Sequence, residues 1–263
     1  LTVAALLALC TGYVALAFAC LGLAVSAKIY ALALVVPAAL YVVSRQGPRA
    51  LARAAGGFVA AALVTAMPFL AVSADGVWSS VRSQLERGLH VESLGGSLLL
   101  AADRLGLYDA TVREGATGAK SRDLVGGAPH LIAVLSAVLL TAAIVTVWML
   151  FARDAADDQR LAVGFAAGAA GVLTFSKVLS PQYAEWLLFL VPLVPGATGV
   201  AACTLTALAF LLAEAWFHHY HELYAVGGTV WLVLIRNLAF GCSFAVLAGG
   251  LVRKSRPGSV SPR

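Results

Sequence analysis

The sequence predicts an all-α bundle of membrane-spanning helices, and three observations carry that reading. Of 263 residues, 61% are hydrophobic and only 12% are charged, about half the charged share of a soluble domain. Mean hydropathy is +0.90. Apolar runs at 1–25, 54–72, 131–151 and 229–252 approach or exceed the ~20 residues that a helix needs to cross hydrocarbon.

Taken in order, the pattern gives eight spans, at about 2–25, 28–44, 54–72, 130–151, 161–176, 184–198, 200–217 and 229–251. The first runs to the turn before Lys28. The second ends before Arg45, and the third lies between Arg53 and Ser73. A long segment, 73–129, separates the third from the fourth. The fifth and sixth are short for straight crossings, which admits a tilted, broken or re-entrant form. The chain thus divides into 1–72 (spans one to three), an outer segment 73–129, 130–252 (spans four to eight) and a basic tail 253–263. It begins at Leu1, already inside a hydrophobic run and with no charged leader, so the expectation is a chain lacking N-terminal spans rather than one with a signal peptide.

Lys and Arg in short loops set orientation. Arg45, Arg49 and Arg53, then Arg153 and Arg160, then Arg253, Lys254, Arg256 and Arg263 fall on one side of this scheme. That side is the cytoplasm. The net charge of +5 is accounted for in this way and gives no reason to expect nucleic acid. Cys10, Cys20, Cys203 and Cys242 lie inside apolar runs without metal-ligand spacing and read as buried thiols.

The opposite side holds nearly all the unusual polar residues. In the outer segment, Val77, Val81, Leu85 and Leu89 recur at helical spacing with Ser79, Arg82 and Glu86 between them, as in an amphipathic helix lying on a membrane. Leu98, Leu99, Leu105 and Leu107 predict a second interfacial helix. The Gly-rich remainder, 109–130, predicts an exposed loop. "ERGLHVES" sets Arg87, His90 and Glu92 close together. They read either as a solvated charge run or as a site where Arg87 and His90 meet an anionic head group.

"FSKVLSPQYAEW" interrupts a greasy stretch with Lys177, Ser180, Gln182, Tyr183, Glu185 and Trp186. Lys177 could simply snorkel to the interface, and Trp186 could belong to an aromatic belt. Pro181 ends the preceding helix. Together the group offers a cation, neutral hydrogen-bonding groups and ring faces, the parts that bind a sugar and a phosphate. Lys28 and Tyr30 repeat the theme at another span end. Arg236 and Asn237 lie about a third of the way into the last span. An arginine there faces a cavity or a partner, and an internal ion pair with a residue such as Glu214 is the structural alternative.

The order Lys28-x-Tyr30, "RGLHVES" followed by "GSLL", "SKVLSPQY-xx-W" and a late "RN" resembles glycosyltransferase family 87, the polyprenyl-phosphate-mannose-dependent α-mannosyltransferases of actinobacteria. The resemblance covers about residues 23–252, and "SPQY" with its upstream lysine is its most specific element. It implies the multi-spanning C-type glycosyltransferase fold in the plasma membrane. It also implies a polyprenyl-phosphate-mannose donor, a cell-envelope glycolipid or lipoglycan acceptor, inverting transfer on the outer face, and no cofactor or metal. Lys28, Arg87, His90, Lys177 and Arg236 then stand as phosphate-neutralising candidates, and Gln182 and Tyr183 as sugar-holding ones. Tyr30, Glu92, Ser180 and Asn237 complete the expected substrate-binding set. The family's general base is an acid in the first outer loop. The first outer turn here is "AVSAKIY", without one, so the base is expected upstream of Leu1; Asp75 does not match the motif. A transporter or flippase of a lipid-linked anion, a non-catalytic paralogue, or a related transferase of another sugar are the competing readings.

Overall fold

A computed structural model describes residues 1–114, 122–219, 223 and 227–253. It is a helix bundle in which five helices are long and apolar enough to cross a membrane, spanning Ile29–Gln46, Pro48–Val72, Gly127–Ala152, Gly196–Phe217 and Thr229–Val252. The helices are α1 (Thr2–Cys10), α2 (Val14–Ala27), α3 (Leu32–Gln46), α4 (Pro48–Val72), α5 (Ala74–Leu85) and α6 (Leu94–Arg104). Then follow α7 (Gly127–Ala152), α8 (Asp158–Phe175), the single turn α9 (Glu185–Leu188), α10 (Gly196–Phe217) and α11 (Thr229–Val252). The chain is a membrane-embedded bundle by the length and apolarity of these helices.

Helix α8 is the axis around which the others pack. Arg160 to Gly171 are all buried. Its small residues let three neighbours approach. A Cβ on Gly164 would stand 3.1 Å from the Phe151 ring of α7, one on Gly168 3.0 Å from Leu34 of α3, and one on Gly171 3.2 Å from Phe244 of α11. The core around it includes Leu9, Phe18, Leu34, Phe165, Leu173 and Phe240. A smaller core, with Leu89, Leu100, Leu124, Trp216, Val230 and Val233, sits under the outer segment.

Three of the eight expected spans are not among these five: the fifth is α8, an 18-residue helix that opens on Asp158 and Arg160, and the first and sixth take another form. The first is a hairpin of α1 and α2, broken at Thr11-Gly12-Tyr13. Gly12 has φ +86°. Tyr13 N–H donates to the Ala8 carbonyl at 2.8 Å and Gly12 N–H to that of Leu9 at 3.1 Å, the hydrogen-bond pair that closes a helix on a left-handed glycine. The sixth, 184–198, is no helix. Pro181, Pro192 and Pro195 leave short 3-10 turns around the single turn α9. This broken crossing starts where Lys177 accepts from His90 N–H (2.9 Å) and ends beside Thr198, which faces Gly250 near the other end of α11.

The outer segment carries two helices, but α5 stops at Leu85, leaving the expected helical position Leu89 in a strand, and α6 stops at Arg104, short of Leu105 and Leu107; the expected loop after them is not all loop. Leu89–His90 (β1), Thr111–Glu114 (β2) and Arg122–Val125 (β3) form an antiparallel sheet in the order β1-β3-β2. Its middle strand buries Leu124 opposite Leu89, so the hydrophobic positions of a segment that looked polar pin it to the bundle. The basic tail from Lys254 and residues 115–121 of the expected loop lie outside the described residues.

Two arginines tie elements together at the end of the bundle away from the outer segment. Arg45 pairs with Asp158, which also accepts from the Tyr41 hydroxyl. Arg160, buried, donates to the Leu150, Leu251 and Arg253 carbonyls at 2.8, 3.0 and 2.9 Å, closing the C-terminal ends of α7 and α11 with one guanidinium.

Helices α2 and α4 run parallel and touch through backbone. A Cβ on Gly57 would meet the Ala15 carbonyl at 2.6 Å, and one on Gly22 the Phe58 carbonyl at 2.6 Å, whereas Gly56 faces open space. Gly57→Ala is therefore expected to lower stability by about 1–3 kcal/mol despite its better helix propensity. Gly56→Ala should leave it unchanged or slightly raised. Thermal unfolding in detergent compares the two, and equal midpoints would mean that the helices are not in contact.

Candidate functional site

Arg236 and Glu92 are the most enclosed charges at the opposite, outer-segment end. Arg236 is 1% exposed and Glu92 2%. Burial on this scale is tolerated only with partners. One guanidinium nitrogen of Arg236 donates to the Glu92 carbonyl at 2.7 Å, and another lies 3.7 Å from its carboxylate. Asn237 donates to the same carbonyl (3.0 Å) and to Ser97 Oγ (3.0 Å), while its own Oδ1 accepts from Arg236. The Arg236 guanidinium also lies 5.4 Å from the Trp216 ring. The pair expected with Glu214 is not made; that residue binds His218 at 3.1 Å. Arg236 and Asn237 thus clamp the turn after β1 onto α11. Ser93 caps α6 in the same turn, accepting from Gly96 N–H at 3.0 Å.

His90 stands beside this clamp, 4% exposed. Burial and then repulsion from Arg87 push its imidazole down to about 4, against a hydrogen bond with the Leu179 backbone. It is neutral at physiological pH. Burial pushes the Glu92 carboxyl up to about 7, with Arg236 pulling the other way.

Arg87 and Lys177 face a different space. A groove of about 1020 Å³ runs from these two cations and His130 down one face of α7, along Ala133, Val134, Ala137, Val138 and Val145. From Ala133 to Val145 that wall is about 18 Å long. Lys177 Nζ donates to the Leu85 carbonyl at 2.9 Å. Its ammonium is held below its usual range chiefly by burial, with Asp123 opposing and Arg87 adding to the shift. Arg87 Nε is buried and makes no hydrogen bond. The carboxylate at the mouth, Glu86, is bound to Arg82 at 2.6 Å. The groove therefore presents two cations with donor capacity to spare above an apolar trough.

The remaining expected residues form a third group. Trp186 stacks on Tyr30 (centroids 3.8 Å apart) and on Tyr183 (4.6 Å), and Lys28 Nζ lies 5.0 Å from the Tyr183 ring. Ring faces of the kind that cover a sugar are thus occupied largely by one another. Ser180 begins the turn, its carbonyl accepting from Tyr183 N–H at 2.9 Å, and Gln182 is exposed.

The structure brings all eleven residues to one end of the bundle, but in three groups. Arg87 and Lys177 line the groove; Glu92, Arg236 and Asn237 form the clamp, with His90 packed beside it; Lys28, Tyr30, Ser180, Gln182 and Tyr183 surround Trp186. Sequence reasoning missed His130 at the groove mouth and Ser97 in the clamp. A histidine opening the apolar run "APHLIAVL" was the available signal for the first. Among the described residues, no His, Cys, Asp and Glu cluster could hold a metal. No protein-family model matches the chain, nor does any curated protein or solved structure.

Arg236→Met leaves the Glu92 carboxyl enclosed without its guanidinium and is expected to cost about 3–5 kcal/mol. Adding Glu92→Gln should recover part of this. Unfolding of the two variants measures it, and a single variant as stable as the parent would show that the clamp bears no weight.

The two shifted groups act oppositely on stability. Glu92 holds its proton in the folded chain between 4.5 and about 7, where the unfolded chain has lost it, so its contribution falls as pH rises. His90 stays unprotonated between about 4 and 6.5, where the unfolded chain has gained a proton, so its contribution rises. Glu92→Gln should therefore expose a melting temperature that rises from about pH 4.5 to 6.5, and His90→Gln one that falls. Parallel pH profiles for both variants and the parent would contradict these assignments.

Proposed function

We propose that this protein is an integral membrane glycosyltransferase that moves mannose from polyprenyl-phosphate-mannose to a cell-envelope glycolipid or lipoglycan on the outer face of the plasma membrane. The observation that carries the reading is the groove beside α7, where two cations stand at the head of a long apolar wall. A polyprenyl phosphate has the matching form, a single chain ending in one anionic group. The chain lies along α7 and the phosphate between Arg87 and Lys177. When the acceptor hydroxyl oxygen attacks the anomeric carbon, the bond to the phosphate oxygen breaks, its electron pair stays on the phosphate, and the hydroxyl proton passes to a general base or to water. Paired donors and fixed cations stabilise that developing charge. Gln182 and Ser180, in the neighbouring turn, supply neutral groups for sugar hydroxyls.

One observation favours the carrier alternative, the broken crossing at 176–195, since interrupted helices line substrate paths in transporters. The cations, however, lie at one end of the bundle rather than midway along it, which favours the transferase.

Radiolabelled polyprenyl-phosphate-mannose with a membrane glycolipid fraction tests the proposal. Arg87→Ala and Lys177→Ala are each expected to slow transfer at least about tenfold, the effect of losing ~1.4 kcal/mol of transition-state stabilisation. Passage of the intact donor across vesicles without sugar transfer would support the carrier instead.

A further inference from the structure

A second groove, of about 890 Å³, opens on the far side of α5. Its walls are the last turns of α2 and α4 and the first two turns of α5. The apolar part comes from Leu23, Ala66, Phe69, Val72 and Val77, and hydroxyls come from Ser26, Thr65, Ser73 and Ser80. No charged side chain lines it. The cations nearest in sequence are engaged elsewhere, Lys28 on the Tyr183 ring and Arg82 on Glu86, and the nearest acid, Asp75, is not part of the lining. Its size falls in the range of about 300–1,000 Å³ typical of ligand sites.

We propose that this groove holds the upper part of a membrane lipid whose head is uncharged and rich in hydroxyls, such as a neutral glycosyl diacylglycerol. Three features point to this occupant. Two of its wall residues, Phe69 and Val72, stand 69% and 88% exposed at the end of α4, a helix long enough to cross a membrane. A hydrocarbon chain is what covers such a face. Helix α5 buries none of its residues in the bundle. Its apolar residues Val77, Trp78, Val81 and Leu85 share one arc of the helix, with Asp75, Ser79, Arg82 and Glu86 on the other, so it lies with that arc toward lipid. The polar lining is hydroxyl throughout. The Ser26 and Thr65 hydroxyls bond each other at 2.8 Å, and Ser73 Oγ is taken by Gly76 N–H at 2.9 Å. The Ser80 hydroxyl makes no bond to any described residue and is free to meet a sugar or glycerol hydroxyl. An anionic head would find no cation here, whereas it finds two in the groove beside α7. Helix α5 reaches both spaces, its start in the neutral one and Leu85 in the cationic one. The chain thus sorts lipids by head-group charge at the two ends of one surface helix. This inference rests on the membrane-spanning reading of the helices and not on sugar transfer.

The test uses the whole chain in phosphatidylcholine vesicles containing a trace of one photoreactive probe, either diglucosyl diacylglycerol or phosphatidylglycerol, each with the same diazirine-bearing chain. After illumination the labelled peptides are counted. The neutral probe is expected to label the peptide covering 65–81 at least about fivefold more than the anionic probe does. Ala66→Trp, or Ser80→Trp approached from the aqueous side, should remove that preference. Val59→Trp, on exposed α4 surface outside the groove, and Lys177→Ala, in the other groove, should leave it intact. Equal labelling by the two probes would mean ordinary contact with bulk lipid, and stronger labelling by the anionic probe would reverse the head-group assignment. Either result, or a preference that survives both tryptophan variants, overturns the proposal.

Discussion

A guanidinium in the interior of a helix bundle has to be surrounded by acceptors, and this requirement organises the end of the bundle that carries residues 73–129. Arg236 cannot reach water from α11, so the chain brings acceptors to it: the Glu92 carbonyl and carboxylate and the Asn237 amide oxygen. These contacts, which leave one guanidinium nitrogen 3.7 Å from the carboxylate and without a hydrogen bond, fix the turn at 90–93. That turn positions β1, whose His90 N–H holds the Lys177 carbonyl, and the same turn starts α6 through the Ser93 cap. The loop of the broken crossing, the small sheet and the mouth of the cationic groove are therefore all placed by one buried charge and its neighbours.

The two grooves show how a protein with few charges creates electrostatic contrast. Some of those charges cancel at short range, as in Arg82 with Glu86 or Arg45 with Asp158. Such exposed pairs contribute little to stability. Their effect is to leave Arg87 and Lys177 as the cations facing the α7 groove. Against an apolar wall of low polarisability their field is less screened than it would be in water.

Much of the bundle was legible in the sequence because apolar length and the placement of arginines are nearly sufficient to mark a crossing helix. The failures have local causes. Gly12 turns the chain inside an unbroken apolar run, and its neighbours Thr11 and Tyr13 are the only hint of a turn. The three prolines at 181, 192 and 195 are plain in the sequence, but a hydropathy window averages over them. The β-sheet escaped notice because its strands hold four residues at most and its burial depends on Leu89, far from Leu124 in sequence. For the site, the polar residues stood out as a class through their cost in hydrocarbon. How they divide was not legible, since whether Arg236 meets a ligand or Glu92 is decided by the fold of residues nearly 150 positions away.

Arg160 has a consequence for the order in which the molecule is made. Its guanidinium is satisfied by Leu150, already synthesised, and by Leu251 and Arg253, which emerge about ninety residues later. Until α11 is made, the Arg160 guanidinium has only the first of these three acceptors. The packing of the central helix is thus completed only when the last long helix is in place. Ribosomal synthesis sets a delay between the two events, during which that end of α8 must stay near the aqueous boundary.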